Sequence, residues 1–141
     1  MNINQVLILV IPLYTFYVTI LMIMMFLRRV RALKAGNVKL SYFRSYQDKD
    51  VGQELVIIQN HFNNQFQIPV YFFITILSFL HFNIASQLTV ILAYAFIASR
   101  LWHSSIHLGN NNVKLRAISY ATGLVILLTM WIQLVCLLFL Q

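Results

Sequence analysis

Two stretches carry side chains able to do chemistry in an otherwise apolar chain: QNHFNNQFQIPVY over 59–71 and SRLWHSSIHLGNNNVKLRAISY over 99–120. In the first, Asn60, Asn63, Asn64, Gln67 and Tyr71 fall within about 60° either side of one direction at helical spacing, so an unbroken helix would gather them on one face. In the second, Arg100, His103 and His107 share a face at i, i+3 and i+7, and Arg116, Ser119, Tyr120 and Gly123 share another. Cations, amides, imidazoles and a phenol at one level form a pocket for a small, polar, anionic ligand. Uncharged donors and acceptors at membrane depth are costly unless they meet protein or a wet cavity. The amide face is therefore expected to look into an interface or a pocket.

The elements that must position these residues follow from composition. The chain has 141 residues, 60% of them hydrophobic and 9% charged. A soluble domain of this size needs more polar surface, so one multi-helix membrane domain is expected. Four apolar runs, at about 6–27, 55–80, 88–108 and 118–140, are each long enough for a ~30 Å hydrocarbon core, and a polar connection spans 28–54. The expected fold is all-α, a bundle of four transmembrane helices. The first run has no basic n-region and no small-residue cleavage site, and it reaches Leu27, so it reads as a retained helix rather than a signal peptide. Pro12 and Pro69 lie inside runs, where each removes a backbone donor and kinks its helix. A kink at Pro69 opens room beside the amides.

The formal charges define an orientation. Arg28, Arg29, Arg31, Lys34, Lys39, Arg44 and Lys49 lie in the first connection, with Asp48, Asp50 and Glu54 at its end. Arg100, Lys114 and Arg116 flank the third, while the second connection, HFNIASQ, has none. The positive-inside rule places the charged side in the cytoplasm and both termini across the membrane. A basic rim of this kind also attracts anionic lipids. No aromatic-rich soluble surface accompanies the charges, so nucleic acid is not an expected partner.

Other chemistries fit less well. The single cysteine, Cys136, excludes an intramolecular disulfide and a cysteine metal cluster. His103 and His107 have the i, i+4 spacing of metal ligands. No carboxylate is near them in sequence, however, and a full set would need His61 from another helix. No metal is expected, and the preferred reading is interfacial histidines making hydrogen bonds. Proton-coupled export needs an acid inside the membrane, and the only acids are Asp48, Asp50 and Glu54.

The ordered set RVRALKAGNV, NNQFQIPVYFF and SRLWHSSIHLGNNNVKLRAISY resembles the membrane-associated proteins in eicosanoid and glutathione metabolism, the MAPEG family. The resemblance covers most of the chain. It implies a homotrimer of four-helix bundles with glutathione between subunits near the cytosolic face. It further implies a transferase, peroxidase or isomerase acting on a lipophilic electrophile delivered from the membrane lipids. Arg116 matches the thiolate-stabilising arginine and Tyr120 the tyrosine one turn on. Arg31, Asn64 and Arg100 match other glutathione-contacting positions, and the amide and imidazole layer adds Asn60, Asn63, Gln67, His103 and His107. Three positions depart from the pattern. Gln67 replaces a glutamate that pairs with the ligand's ammonium, Asn63 replaces an arginine, and His107 replaces a tyrosine. Loss of the acid removes a charge-assisted contact worth about 1.5–3 kcal/mol. The alternative is a non-catalytic membrane scaffold whose polar layer binds lipid head groups or a partner. No dibasic retrieval signal precedes Gln141, which points to a bacterial inner membrane.

Overall fold

A computed structural model describes residues 2–45 and 51–139. Asp48, Lys49 and Asp50 of the first connection, and Leu140 at the expected end of the fourth run, lie outside the described residues. Every element described is helical: α1 (Ile3–Ile8), α2 (Val10–Lys34), α3 (Tyr42–Ser45), α4 (Gln53–Asn63), a 3-10 turn (Asn64–Phe66), α5 (Ile68–His81), α6 (Gln87–Leu108) and α7 (Val113–Phe139). They form rods that run alternately up and down. α6 packs most extensively on α7, and α2 on α4; α4 also packs on α6, while α5 joins α7 and α1.

Both prolines act on their rods as their missing N–H dictates. Pro12 cannot donate to Ile8, and the helix is interrupted at Leu9, which keeps helical angles so that α1 and α2 continue as one rod. Pro69 cannot donate to Gln65, and its ring crowds that carbonyl. The second expected span is therefore not one helix over 55–80. It tightens into a 3-10 turn at Asn64, swings at Gln67 (φ −104°, ψ −105°), and restarts with Pro69 in the first turn of α5, where a missing donor costs nothing. The expected kink is a break.

The first connection is also shorter than 28–54. Arg28 to Lys34 extend α2, which ends where Gly36 takes a left-handed φ of +72° and the Asn37 amide reaches back to the Ala32 carbonyl. Beyond it, Val38, Tyr42 and Leu55 bury one another in a small satellite core.

The main core is apolar and aromatic. Phe72 and Phe96 stack at 4.2 Å, with Tyr14, Ile76, Phe79, Met130 and Leu134 around them. The outside is apolar as well: Phe16 and Ile132 are each 66% exposed. Two helices, Ile3–Lys34 and Val113–Phe139, are long and apolar enough to cross a membrane. Only 22% of the most apolar window of each is buried, whereas the core helix of a soluble protein is mostly buried. The other two rods fall short of that measure for visible reasons. One is broken at the proline, and α6 carries Ser99, Arg100, His103, Ser104 and His107 on its inner face.

The two ends of the packet differ in charge. At one end the α1 and α6 starts meet the α5–α6 turn, and among the described residues no Lys, Arg, Asp or Glu lies there. Asn2 and Gln5 form a capping box on α1, and Ser86 and Thr89 form one on α6. At the other end lie the last turns of α2 and α6 and the first turns of α4 and α7, with the arginines.

Candidate functional site

The amides expected on one face are divided by the break. Asn60 and Asn64, one turn apart, line a cleft of about 470 Å³ with Gln53, Val56 and Ile57, facing His107 of α6, Asn111 of the α6–α7 turn and Arg116 of α7. Asn63, Gln67 and Tyr71 are exposed and do not line it. Asn63 lies round the helix from Asn60 and Asn64. The tight turn and the swing at Gln67 then rotate everything after Asn64 out of the ideal register.

The cleft places side chains from three rods and the α6–α7 turn around one space. Arg116 is half-buried, and its Nη1 donates to the Asn111 side-chain oxygen at 2.7 Å. That contact holds the guanidinium over the turn. Asn111 can serve because it sits at a left-handed φ of 50°, a conformation Asn tolerates. Asn112 caps α7 by accepting from the Leu115 amide at 3.2 Å. Among the described residues, none of the cleft-lining side chains is acidic. The donor set therefore suits carboxylates and amide groups, and it offers no partner to an ammonium.

The remaining expected residues lie elsewhere. Arg31 is exposed and lines a second cleft of about 490 Å³ with Arg28, Asn37 and Glu54. Arg100 is only 2% exposed, behind the cleft rather than in it. Its Nη2 donates to the Ser119 and Tyr120 carbonyls at 3.4 and 3.2 Å, and its guanidinium lies 5.4 Å from the Phe96 ring centre and 5.3 Å from that of Tyr120. Gly123 makes the space: a Cβ there would stand 2.9 Å from both Arg100 Cζ and Ser99 Oγ. Tyr120 is half-buried, packed against Arg100 and His103, and does not line the cleft.

Behind the cleft is a buried polar layer that only partly matches the expected one. His61 and Gln65 of the second rod, which do not belong to the expected amide face, are its inward residues. Tyr14 donates to Gln65 Oε1 at 2.6 Å, and Gln65 Nε2 donates to the His61 carbonyl at 2.9 Å. His61 Nε2 lies 2.7 Å from Ser104 Oγ, which also meets the Tyr17 hydroxyl. His103 Nδ1 lies 3.0 Å from Ser119 Oγ. Ser119 spends its proton on the Arg116 carbonyl at 2.9 Å, so it accepts from His103 Nδ1–H. The signal for this inner face was the stripe Leu55, Ile58, His61/Phe62, Gln65, an apolar helical face that turns polar without leaving the core.

His61 thus joins His103 and His107. Their ring centres are 5.7 Å (61–103), 5.0 Å (61–107) and 5.5 Å (103–107) apart. All three are buried, and each keeps one ring nitrogen with no hydrogen-bond partner: His61 Nδ1, His103 Nε2 and His107 Nδ1. Hydrogen bonding alone, the role expected for His103 and His107, leaves these buried nitrogens unused.

A family model described as the MAPEG family matches residues 7–136. Neither a curated protein nor a solved structure gives a significant match.

Proposed function

The chain belongs to the MAPEG family, helical membrane proteins of glutathione and eicosanoid metabolism, and on that premise we propose that it is a glutathione-dependent transferase or peroxidase acting on lipophilic electrophiles. The observation that carries this reading is the cleft that joins Asn60, Asn64, His107 and Arg116. All four rods cross the membrane in this reading. The basic end faces the cytoplasm, and both termini lie across from it.

Three copies of the chain assemble, and glutathione lies in the cleft against a neighbour. The exposed amides Asn63 and Gln67 motivate the assembly, since such groups at membrane depth need a protein or aqueous partner. Asn60 and Asn64 address the peptide groups, and Arg116 lies beside the sulfur. A guanidinium there favours thiolate over thiol. The thiol proton passes to water in the cleft. The thiolate then attacks the electrophilic carbon, an S–C bond forms, and the leaving group departs with its electron pair. With a hydroperoxide, sulfur attacks oxygen, the O–O bond breaks, and a second glutathione completes the disulfide. Tyr120 and Arg100 act from behind as positioning residues. Arg31 contributes from the second cleft only where a neighbouring subunit closes the space.

Calorimetric titration of glutathione into the detergent-solubilised protein tests this. Saturable binding is expected in the wild type and loss of at least about tenfold in affinity in Arg116→Ala, the scale of one or more charged hydrogen bonds. No binding at millimolar glutathione to intact trimer would overturn the reading.

One observation favours a second reading, a non-catalytic scaffold. Among the described residues the basic cleft has no acidic lining residue, and Gln67 lies outside it, so these residues offer no partner to an ammonium. A lipid phosphate would suit it instead. Stoichiometric phospholipid in the native preparation, together with indifference to glutathione, would support the scaffold.

A further inference from the structure

The buried histidine layer has a geometry that neither glutathione binding nor helix packing requires. Ionisable side chains inside a membrane bundle are rare and expensive, and three imidazoles gathered from two rods are more than helix adhesion needs. One nitrogen of each ring lies within 4.8 Å of one nitrogen of each of the others. Each ring also keeps a buried nitrogen without a hydrogen-bond partner: His61 Nδ1, His103 Nε2 and His107 Nδ1. We infer that His61, His103 and His107 form a binding site for a divalent first-row metal ion, with zinc as the best fit.

The ligand chemistry supports this choice. Neutral imidazoles bind zinc at about 2.0–2.1 Å, which sets tetrahedral nitrogens roughly 3.3 Å apart. The cluster must therefore close by about an ångström or somewhat more. With no thiolate and no carboxylate in the set, calcium and magnesium are poorly served.

The surroundings supply the outer contacts that metal-binding histidines need. Ser119 holds a proton on His103 Nδ1 and so leaves the Nε2 lone pair free. Ser104 lies 2.7 Å from His61 Nε2 and accepts from it when Nδ1 binds the ion. These are the partners that fix tautomer and ring direction around a metal. Arg100 is adjacent, but its Nη2 is turned toward the α7 carbonyls. Its charge makes an anionic fourth ligand favourable, and the cleft that His107 lines is the route to it.

The site does not rest on the glutathione reading, with which it shares only His107. Protein carrying no polyhistidine tag is stripped with chelator, equilibrated with zinc, and its metal counted. Cobalt is substituted in parallel for its visible tetrahedral bands. One ion per chain is expected in the wild type. The same is expected in His81→Ala, which removes the exposed histidine outside the cluster. His61→Ala should lose at least about nine-tenths of the metal. Ser104→Ala keeps all three ligands and should weaken binding about 10–100-fold, the usual effect of an outer contact. A wild type that holds no zinc overturns the site. So does His61→Ala protein with wild-type metal content, or Ser104→Ala with unchanged affinity.

Discussion

The two ends of the helix packet treat polar groups in opposite ways. At the neutral end they are spent on structure. Ser86 and Thr89 cap α6 reciprocally, and Gln133 of α7 donates to both hydroxyls at 2.8 and 3.0 Å, tying the α7 rod to the start of α6. Among the described residues there, one buried acceptor, Gln133 Oε1, is left without a partner. At the charged end, unpartnered nitrogens remain on His61, Arg100, His103 and His107 within a single layer. A buried polar atom without a partner costs about 1–3 kcal/mol, so the neutral end serves stability while the charged end carries a deficit. Deficits of this kind collect where a molecule binds or reacts.

On that contrast, apolar replacement of a buried polar side chain should have opposite signs at the two ends, whereas filling the space beside one is destabilising at either. The largest effect is expected at Gly123, whose missing side chain makes room for Arg100. Gly123→Ala should cost about 3 kcal/mol through overpacking, read as a lower thermal midpoint in detergent. Arg100→Met should stabilise by about 1–3 kcal/mol, since it removes a buried charge whose Nε has no partner while keeping most of the packing volume. Combined, the two changes should be clearly non-additive, because the methionine leaves space for the new methyl group. Additive behaviour would mean that Arg100 is not what Gly123 accommodates.

How much of this was legible beforehand depends on what each feature rests on. The rods followed from apolar runs, which only a helix can satisfy at membrane depth. The Asn60, Asn64, His107 and Arg116 positions, expected at one level, line one cleft. Asn63, Gln67, Arg31 and Tyr120 do not. Gln67 lies outside the cleft because the ideal 100° register does not survive the Asn64–Phe66 turn, where the backbone breaks ahead of Pro69. His61 and Gln65 do not stand out in the sequence, because the run of amides points to a different face of the same segment. Which face turns inward is decided by neighbouring helices, and Tyr14, Tyr17 and Ser104 supply partners that no local spacing reveals. Arg100 is expected at the ligand from its place in the sequence, yet its burial depends on a glycine 23 residues away on another helix.

At the neutral end, Gln133→Ala should destabilise by about 1–2 kcal/mol, the net worth of two hydrogen bonds, with no change in metal content or glutathione binding. Stabilisation instead would remove the contrast, since it would mean that the partnerless Oε1 outweighs both donated bonds.

The smallest effect should come from the most exposed contact at that end. Asn4 donates to Asn83 Oδ1 at 2.6 Å, joining α1 to the α5–α6 turn, and the bond is open to solvent. Water replaces either partner at little cost, so Asn4→Ala should lose only about 0.5 kcal/mol. Asn83 has a second role: it sits at φ 55°, where a side chain other than Asn or Asp is strained. Asn83→Gly loses the same hydrogen bond but relaxes the backbone, whereas Asn83→Ala loses the bond and keeps the strain. The alanine should therefore be the less stable of the two by about 1 kcal/mol. Equal midpoints for the two variants would show that the turn is held by its neighbours rather than by Asn83. The neutral end would then owe its order to the Gln133 bridge alone.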